Sequence, residues 1–208
     1  IWWATGTHPY RETPRPPLAL RHVAVDKPQG IDKVVKELYK KLCPPSYLRG
    51  GSFDKAWAKE PPVLHFSNGS FIEFLSYEQD LDKHAGTSRH AIAFDEEPDE
   101  AIFNENLARL IDTDGDWWIA MTPLEGLTWV YHDYYEPWEK GELDPSTEIF
   151  IFNSDDNPYL PKGAFDRLMS NLTQEERDAR RKGQFIALSG LIYPNFDHNH
   201  HVRPLEPL

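Results

Sequence analysis

A single cysteine, Cys43, stands in 208 residues. One thiol cannot build an intramolecular disulfide framework or a cysteine-rich zinc site, and such usage suits a reducing cytoplasm. Long apolar runs are also missing. No stretch approaches the roughly 20 residues that cross a bilayer as a helix, and no charged-then-apolar leader is present, so a soluble, non-secreted protein is expected. Basic residues are scarce. The 22 Lys and Arg face 34 Asp and Glu, a formal charge of −12, which argues against strong general binding of nucleic acid while leaving room for a local basic patch. Apolar and aromatic material is ample, at 39% and 13%. It is enough for the core of one sizeable domain, or of one domain and part of a second.

The ends read as cut. "IWWATG" at the start looks like the last turn of a helix that begins upstream, closed by Gly6, and "HVRPLEPL" stops in mid-connection. Pro9, Pro14, Pro16 and Pro17 then keep residues 7–20 out of regular structure. "HVAVD", 22–26, reads as a short strand. After it, "GIDKVVKELYKKL" has the spacing Ile31, Val34, Val35, Leu38, Leu42 of a helix with one apolar face. "VLHFSNGSFIEFLSY" is a hairpin pattern about a two-residue Asn68-Gly69 turn.

"HAIAFDEEP" is apolar on both faces and is best placed as a central parallel strand, followed by a helix that turns Ile102, Phe103, Leu107 and Leu110 inward. "WWIAMTP" predicts a further buried strand, 126–138 a helix, "TEIFIF" a strand, and 161–182 two short helices. This alternation predicts an α/β fold, a mostly parallel sheet with helices on both faces.

"AIAFDEEPDE" sets Asp95, Glu96 and Glu97 directly behind a buried run. Like charges at that density repel and lose hydration if buried, so a cation is expected among them. Ligands of open α/β sheets gather at the carboxyl ends of the strands, where "DEE" and the "TP" of the next strand would emerge side by side. An acid ending an apolar strand can hold Mg²⁺, and the acid after it can orient and deprotonate water attacking a phosphate. That geometry resembles the nucleotide site of P-loop ATPases, and on that resemblance Asp95 would face the magnesium and Glu96 would be the base, while Glu97 would cap the following helix or meet a cation. Acids also suit any helix N-terminus, which is the plain structural alternative. Thr122 places a hydroxyl where a γ-phosphate could be sensed.

The succession "GSFIEFLSYEQDLDKHAGTSRHAIAFDEEP", "WWIAMTPLEGLTWVY", "FNSDDNPYLP" and "SGLIYPNFDHNHHV" resembles, block by block, the phage terminase large subunit, the motor that pumps DNA into a capsid and cuts it. The resemblance covers about Val23 to Val202. It implies a P-loop NTPase-like fold of the ASCE or RecA type, incomplete at the N-terminus, with ATP and Mg²⁺ as cofactors. Residues 1–185 would be the C-terminal part of the ATPase domain, and 186–208 a linker and the start of an RNase H-like nuclease domain. Asp95 and Glu96 match the Walker B pair, with Asp95 the Mg²⁺ and Mg-ATP residue and Glu96 the catalytic base. Thr122 and Pro123 match the coupling motif.

The same resemblance implies double-stranded DNA, a portal protein and a small terminase subunit as partners, a homo-oligomeric ring, and action in the host cell cytoplasm. Arg89 is the matching candidate for an arginine that reaches into a neighbouring subunit's site, with Lys83 behind it; the alternative is an ion pair with Asp82 or Glu100. No GxxxxGK[ST] phosphate loop occurs, so this stretch alone is expected to bind ATP poorly and to be inactive, and DNA cutting is expected beyond it.

Two other readings stand beside this one. Another ASCE-type translocase or helicase-like ATPase would share the acidic pair, and a non-catalytic terminase-derived module would share the fold. "DHNHH" offers His198 and His200 as metal ligands against the commoner exposed turn. Trp2, Trp3, Trp117 and Trp118 read as core before they read as base-stacking groups. Arg177, Arg180, Arg181 and Lys182 form either a solvated helix face or a contact for backbone phosphate.

Overall fold

The computed structural model describes residues 1–185. It divides into two compact units, Ile1–Met121 and a second beginning at Thr122. The division falls inside the stretch that the sequence reads as one domain. Residues 121–128, with Pro123 and Gly126, form neither helix nor strand there.

The first unit is built on one sheet. Its strands are β1 (Ala19–Ala24), β2 (Trp57–Lys59), β3 (Pro62–His65), β4 (Phe71–Ser76), β5 (Ala91–Asp95) and β6 (Asp116–Ala120), in the order β2-β3-β4-β1-β5-β6. β1 runs parallel to β4 and β5, and β5 parallel to β6, while β2, β3 and β4 form an antiparallel flank. The mostly parallel α/β sheet is thus present. β5 is central, and its first four residues are buried, as an apolar run with no polar alternation requires.

Three local expectations change. The β3–β4 turn holds three residues, not two: the Phe66 N–H donates to the Ser70 carbonyl at 2.9 Å, and Gly69, at φ 88, supplies the left-handed residue that such a loop needs. Among the described residues β6 is an edge strand with a neighbour on one side only, and Trp118 stays 42% exposed where the sequence predicts a buried strand. Of the apolar residues on the 27–42 helix, only Ile31 and Val35 are buried, while Val34, Leu38 and Leu42 face solvent. That helix opens as a wide turn over Lys27–Val35, capped by the Asp26 carboxylate, which accepts from the Gln29 and Gly30 N–H groups. It tightens into an α-helix only at Lys36–Leu42. The widened turn rotates the stripe away from the 3.6-residue period that the sequence reading assumes.

Short helices complete this unit: α1 (Trp2–Thr5), the α2 just described (Lys36–Leu42), α3 (Phe53–Ala56), α4 (Leu81–His84) and α5 (Glu100–Leu107). α1 ends at Gly6, φ 70, as the opening residues predict. Strand alternation puts Leu20, His22, Ile72 and Phe74 on one face, under the 27–42 helix, where the Tyr39 ring meets Phe74 and His22 at 5.3 and 5.8 Å. Phe94 lies on the other face against Phe103 of α5, and Phe103 meets Trp117 edge-on at 5.0 Å. Gly115 precedes β6, where a Cβ would come within 2.8 Å of the His90 carbonyl and 2.9 Å of that of Arg89, so no side chain fits.

The second unit contains a π-helical turn at Tyr131–Tyr135 leading into α6 (Glu136–Lys140), then α7 (Lys162–Met169) and α8 (Gln174–Lys182). The two short helices of the sequence reading are these last two. α8 starts with a reciprocal capping box between Thr173 and Glu176. Tyr131, Tyr135, Trp138 and Phe185 cluster. "TEIFIF" forms no strand among the described residues, and Phe150 and Phe152 are exposed at 71% and 82%. Within the "DNP" block, the Asn157 side-chain oxygen accepts from the Tyr159 N–H at 3.0 Å, a turn-forming role.

Candidate active site

Asp95 is the last residue of β5, in register with Ala120 of β6. The chain turns sharply after it. Glu96 has φ 66, a left-handed backbone that costs a non-glycine residue on the order of 1–3 kcal/mol and persists only where surroundings impose it. Two contacts impose it here. The Glu96 N–H donates to the Ala120 carbonyl at 2.8 Å, and the Tyr77 hydroxyl, just past β4, lies 2.9 Å from the Glu96 carbonyl and 3.1 Å from that of Asp95. Burial, then the charges of Asp95, Glu96 and Glu97, push the Tyr77 phenol far up. It therefore stays a donor at any working pH.

Burial alone raises the Asp95 carboxyl above its ordinary range. Among the described residues, no basic side chain lies within ion-pair distance of it. A partly desolvated carboxylate without a cation is what a bound divalent ion would stabilise. One hard oxygen at a strand end also fits Mg²⁺, which keeps several waters and takes the rest of its shell from phosphates. No cluster of three or more His, Cys, Asp or Glu suited to a metal occurs among the described residues. Asp95 and Glu96 thus stand together at the rim of the sheet, whereas Thr122, two residues after Ala120 in the chain, opens the second unit.

Arg89 lies elsewhere. It precedes β5, so about six residues of extended chain, roughly 20 Å, separate it from Asp95. It is 5% exposed and bonds to Glu73 at 2.6 Å, the Thr87 carbonyl at 2.8 Å and the Ser88 carbonyl at 3.0 Å. Within this chain Arg89 is held in an internal network, and its ion-pair partner is Glu73 rather than the expected Asp82 or Glu100. Lys83 is exposed, 3.8 Å from Asp82.

That internal network is not legible in the sequence. Arg21 of β1 and Glu73 of β4 are register partners, and the Arg21 Nε donates to Glu73 at 2.9 Å. One Arg21 terminal nitrogen also donates to the His84 carbonyl at 2.6 Å and the Asn106 side-chain oxygen at 2.8 Å. Burial pushes the Glu73 carboxyl up, but Arg21 and Arg89 outweigh it and hold the group below its ordinary value. The network ties β1, β4 and α5 together behind the rim.

In the second unit two of the four residues of the basic cluster are ion-paired. Arg181 pairs with Asp155 at 2.7 Å and Lys182 with Asp178 at 2.9 Å, so less free positive charge is offered to phosphate than the sequence implies. The His198 and His200 reading, the last of the four sequence blocks and the proposed 186–208 boundary lie outside the described residues. Trp2 and Trp118 are more than 40% exposed, while Trp3 packs on the core cluster.

A family model described as terminase large subunit, T4likevirus-type, N-terminal, matches residues 50–200. The chain belongs to this family. Among solved structures, the large terminase from a thermophilic bacteriophage matches with a TM-score of 0.60 at 19% identity. The match covers 92% of this chain and 46% of that one, so the present terminase chain spans less than half the length of its structural relative, and the likeness is one of fold. Comparison with curated proteins finds no match. No helix among the described residues is long and apolar enough to cross a membrane.

Proposed function

We propose that this terminase chain carries the hydrolytic rim of a viral DNA-packaging ATPase, whose turnover drives double-stranded DNA into a procapsid. The observation that supports the reading is the pairing of an uncompensated, half-buried Asp95 with a conformationally fixed Glu96 at the carboxyl end of a central parallel strand. Asp95 would hold the magnesium ion through its carboxylate. Glu96 would orient the attacking water and take its proton on a carboxylate oxygen. Mg-ATP, when bound, supplies the phosphoryl group and the charge neutralisation. Thr122 follows the neighbouring strand by two residues and would report the state of the terminal phosphate to the second unit.

In the complete large subunit the partners would be DNA, a portal protein, a small terminase subunit and further copies in a ring, in the host cytoplasm, with nuclease activity outside the residues described. The test is Glu96→Gln in the complete subunit. Removing the base while keeping the shape should lower turnover by about 10²–10⁴-fold with Mg-ATP affinity within about twofold. Turnover at the unmodified rate would refute the assignment.

A further inference from the structure

We infer that Tyr77 is a positioning residue for the acidic pair, setting the direction of Glu96 through backbone contacts; the inference rests on the proposed hydrolytic role of that residue. Nothing in the sequence marks Tyr77, which follows β4 in "SYEQD" and reads as an ordinary strand-end aromatic. Its position is nevertheless fixed from several sides. The Tyr77 N–H donates to the Ala24 carbonyl at the end of β1 at 3.0 Å, and the Ser76 N–H before it donates to the Gln79 side chain at 2.9 Å. The phenol then reaches the strand beyond β1 and meets the carbonyls of Asp95 and Glu96 together.

A hydroxyl has one proton, so it serves these two carbonyls in alternation or as a shared donor. Shared, it tethers the peptides on both sides of Glu96; in alternation it holds one of them at a time. The Glu96 N–H is meanwhile held by Ala120 from the other neighbouring strand. The residue with the strained φ is therefore gripped at its amide from β6 and at its carbonyl from the end of β4. Without the phenol the carbonyl side is released, and Glu96 can relax towards φ below zero, which swings its side chain off the direction that the turn imposes. A general base displaced by about an ångström loses rate without losing ligand, because the nucleotide is held by other groups.

Tyr77→Phe keeps the ring and removes only the tether. In the complete subunit, turnover should fall by roughly tenfold, with Mg-ATP affinity and Tm unchanged within error. In the chain itself, amide exchange over residues 95–97 should quicken by roughly three- to tenfold, the range expected for loss of one intramolecular hydrogen bond. Combined with Glu96→Gln, the substitution should cost nothing further in single-turnover rate, since the group it positions is gone. Unchanged exchange over 95–97, a matching loss of nucleotide affinity, or multiplicative rate effects in the double variant would each overturn the inference. Faster exchange in a subunit that hydrolyses no ATP would leave the tether standing and remove the hydrolytic reading instead.

Discussion

Glu73 and Asp95 are both carboxylates drawn partly out of water on neighbouring parts of one sheet, and the chain treats them in opposite ways. Glu73 sits between two arginines whose side chains are 1% and 6% exposed, and its acidity is enhanced. Asp95 has no such partner among the described residues, and its acidity is weakened by burial. A buried charge needs compensation from somewhere. For Glu73 it is built in, which marks a structural group; for Asp95 no ion-pair partner stands among the described residues, as the proposed Mg²⁺ role would require.

The strongest way to break the comparison is to remove Glu73. Glu73→Ala leaves Arg21 and Arg89 buried and unpaired, and should lower stability by about 3–5 kcal/mol in chemical denaturation. A loss under about 1 kcal/mol would mean that the network is decorative. The next effect comes from pH. Burial lowers the pKa of His22, packed under the 27–42 helix, from its ordinary 6.5 to about 4. The unfolded chain therefore takes up this proton below pH 6.5 while the folded chain refuses it until about pH 4. Stability is full above that window and falls as pH drops through it, by about 3 kcal/mol in all. The depressed Glu73 group acts in the same direction at lower pH, its contribution being lost only as that carboxylate protonates below its ordinary value of 4.5. Denaturation midpoints across the acidic range, from neutrality down to the folded-state value of His22, measure the sum, and His22→Phe should flatten the upper part of the curve.

Asp95→Ala sharpens the contrast. It should weaken Mg-ATP binding by about 10–100-fold in the complete subunit while leaving the nucleotide-free chain as stable as before, because no internal partner is orphaned. Titration calorimetry and thermal melting separate the two. The smallest effect is expected at Arg181→Ala, where an exposed pair with Asp155 is lost; Tm should stay within about a degree.

How much of this is legible follows from what sequence can encode. β5 and α5 are readable because a strand buried on both faces must be apolar throughout, and a helix against it must repeat every three to four residues. β6 reads as buried for the same reason: "WWIAMTP" has the composition of an inner strand, and only the observed topology reveals its open side. "TEIFIF" carries a strand's alternation yet forms no ladder among the described residues, since propensity cannot supply a neighbour. The acidic pair announces itself by charge density. Arg21, Glu73 and Arg89 do not, because their meeting depends on the β1–β4 register, a relation between residues 52 apart. Tyr77 leaves no trace at all, as a hydroxyl aimed at main-chain carbonyls has no pattern to display.

The left-handed turn at Glu96 also gives the engineer a lever. Asparagine visits that backbone region more readily than glutamate and carries no base, so Glu96→Asn should yield a subunit that is both inert and somewhat sturdier than its parent. The improvement would show that the working acid occupies its post at the expense of the fold, a trade between endurance and activity written into one dihedral angle.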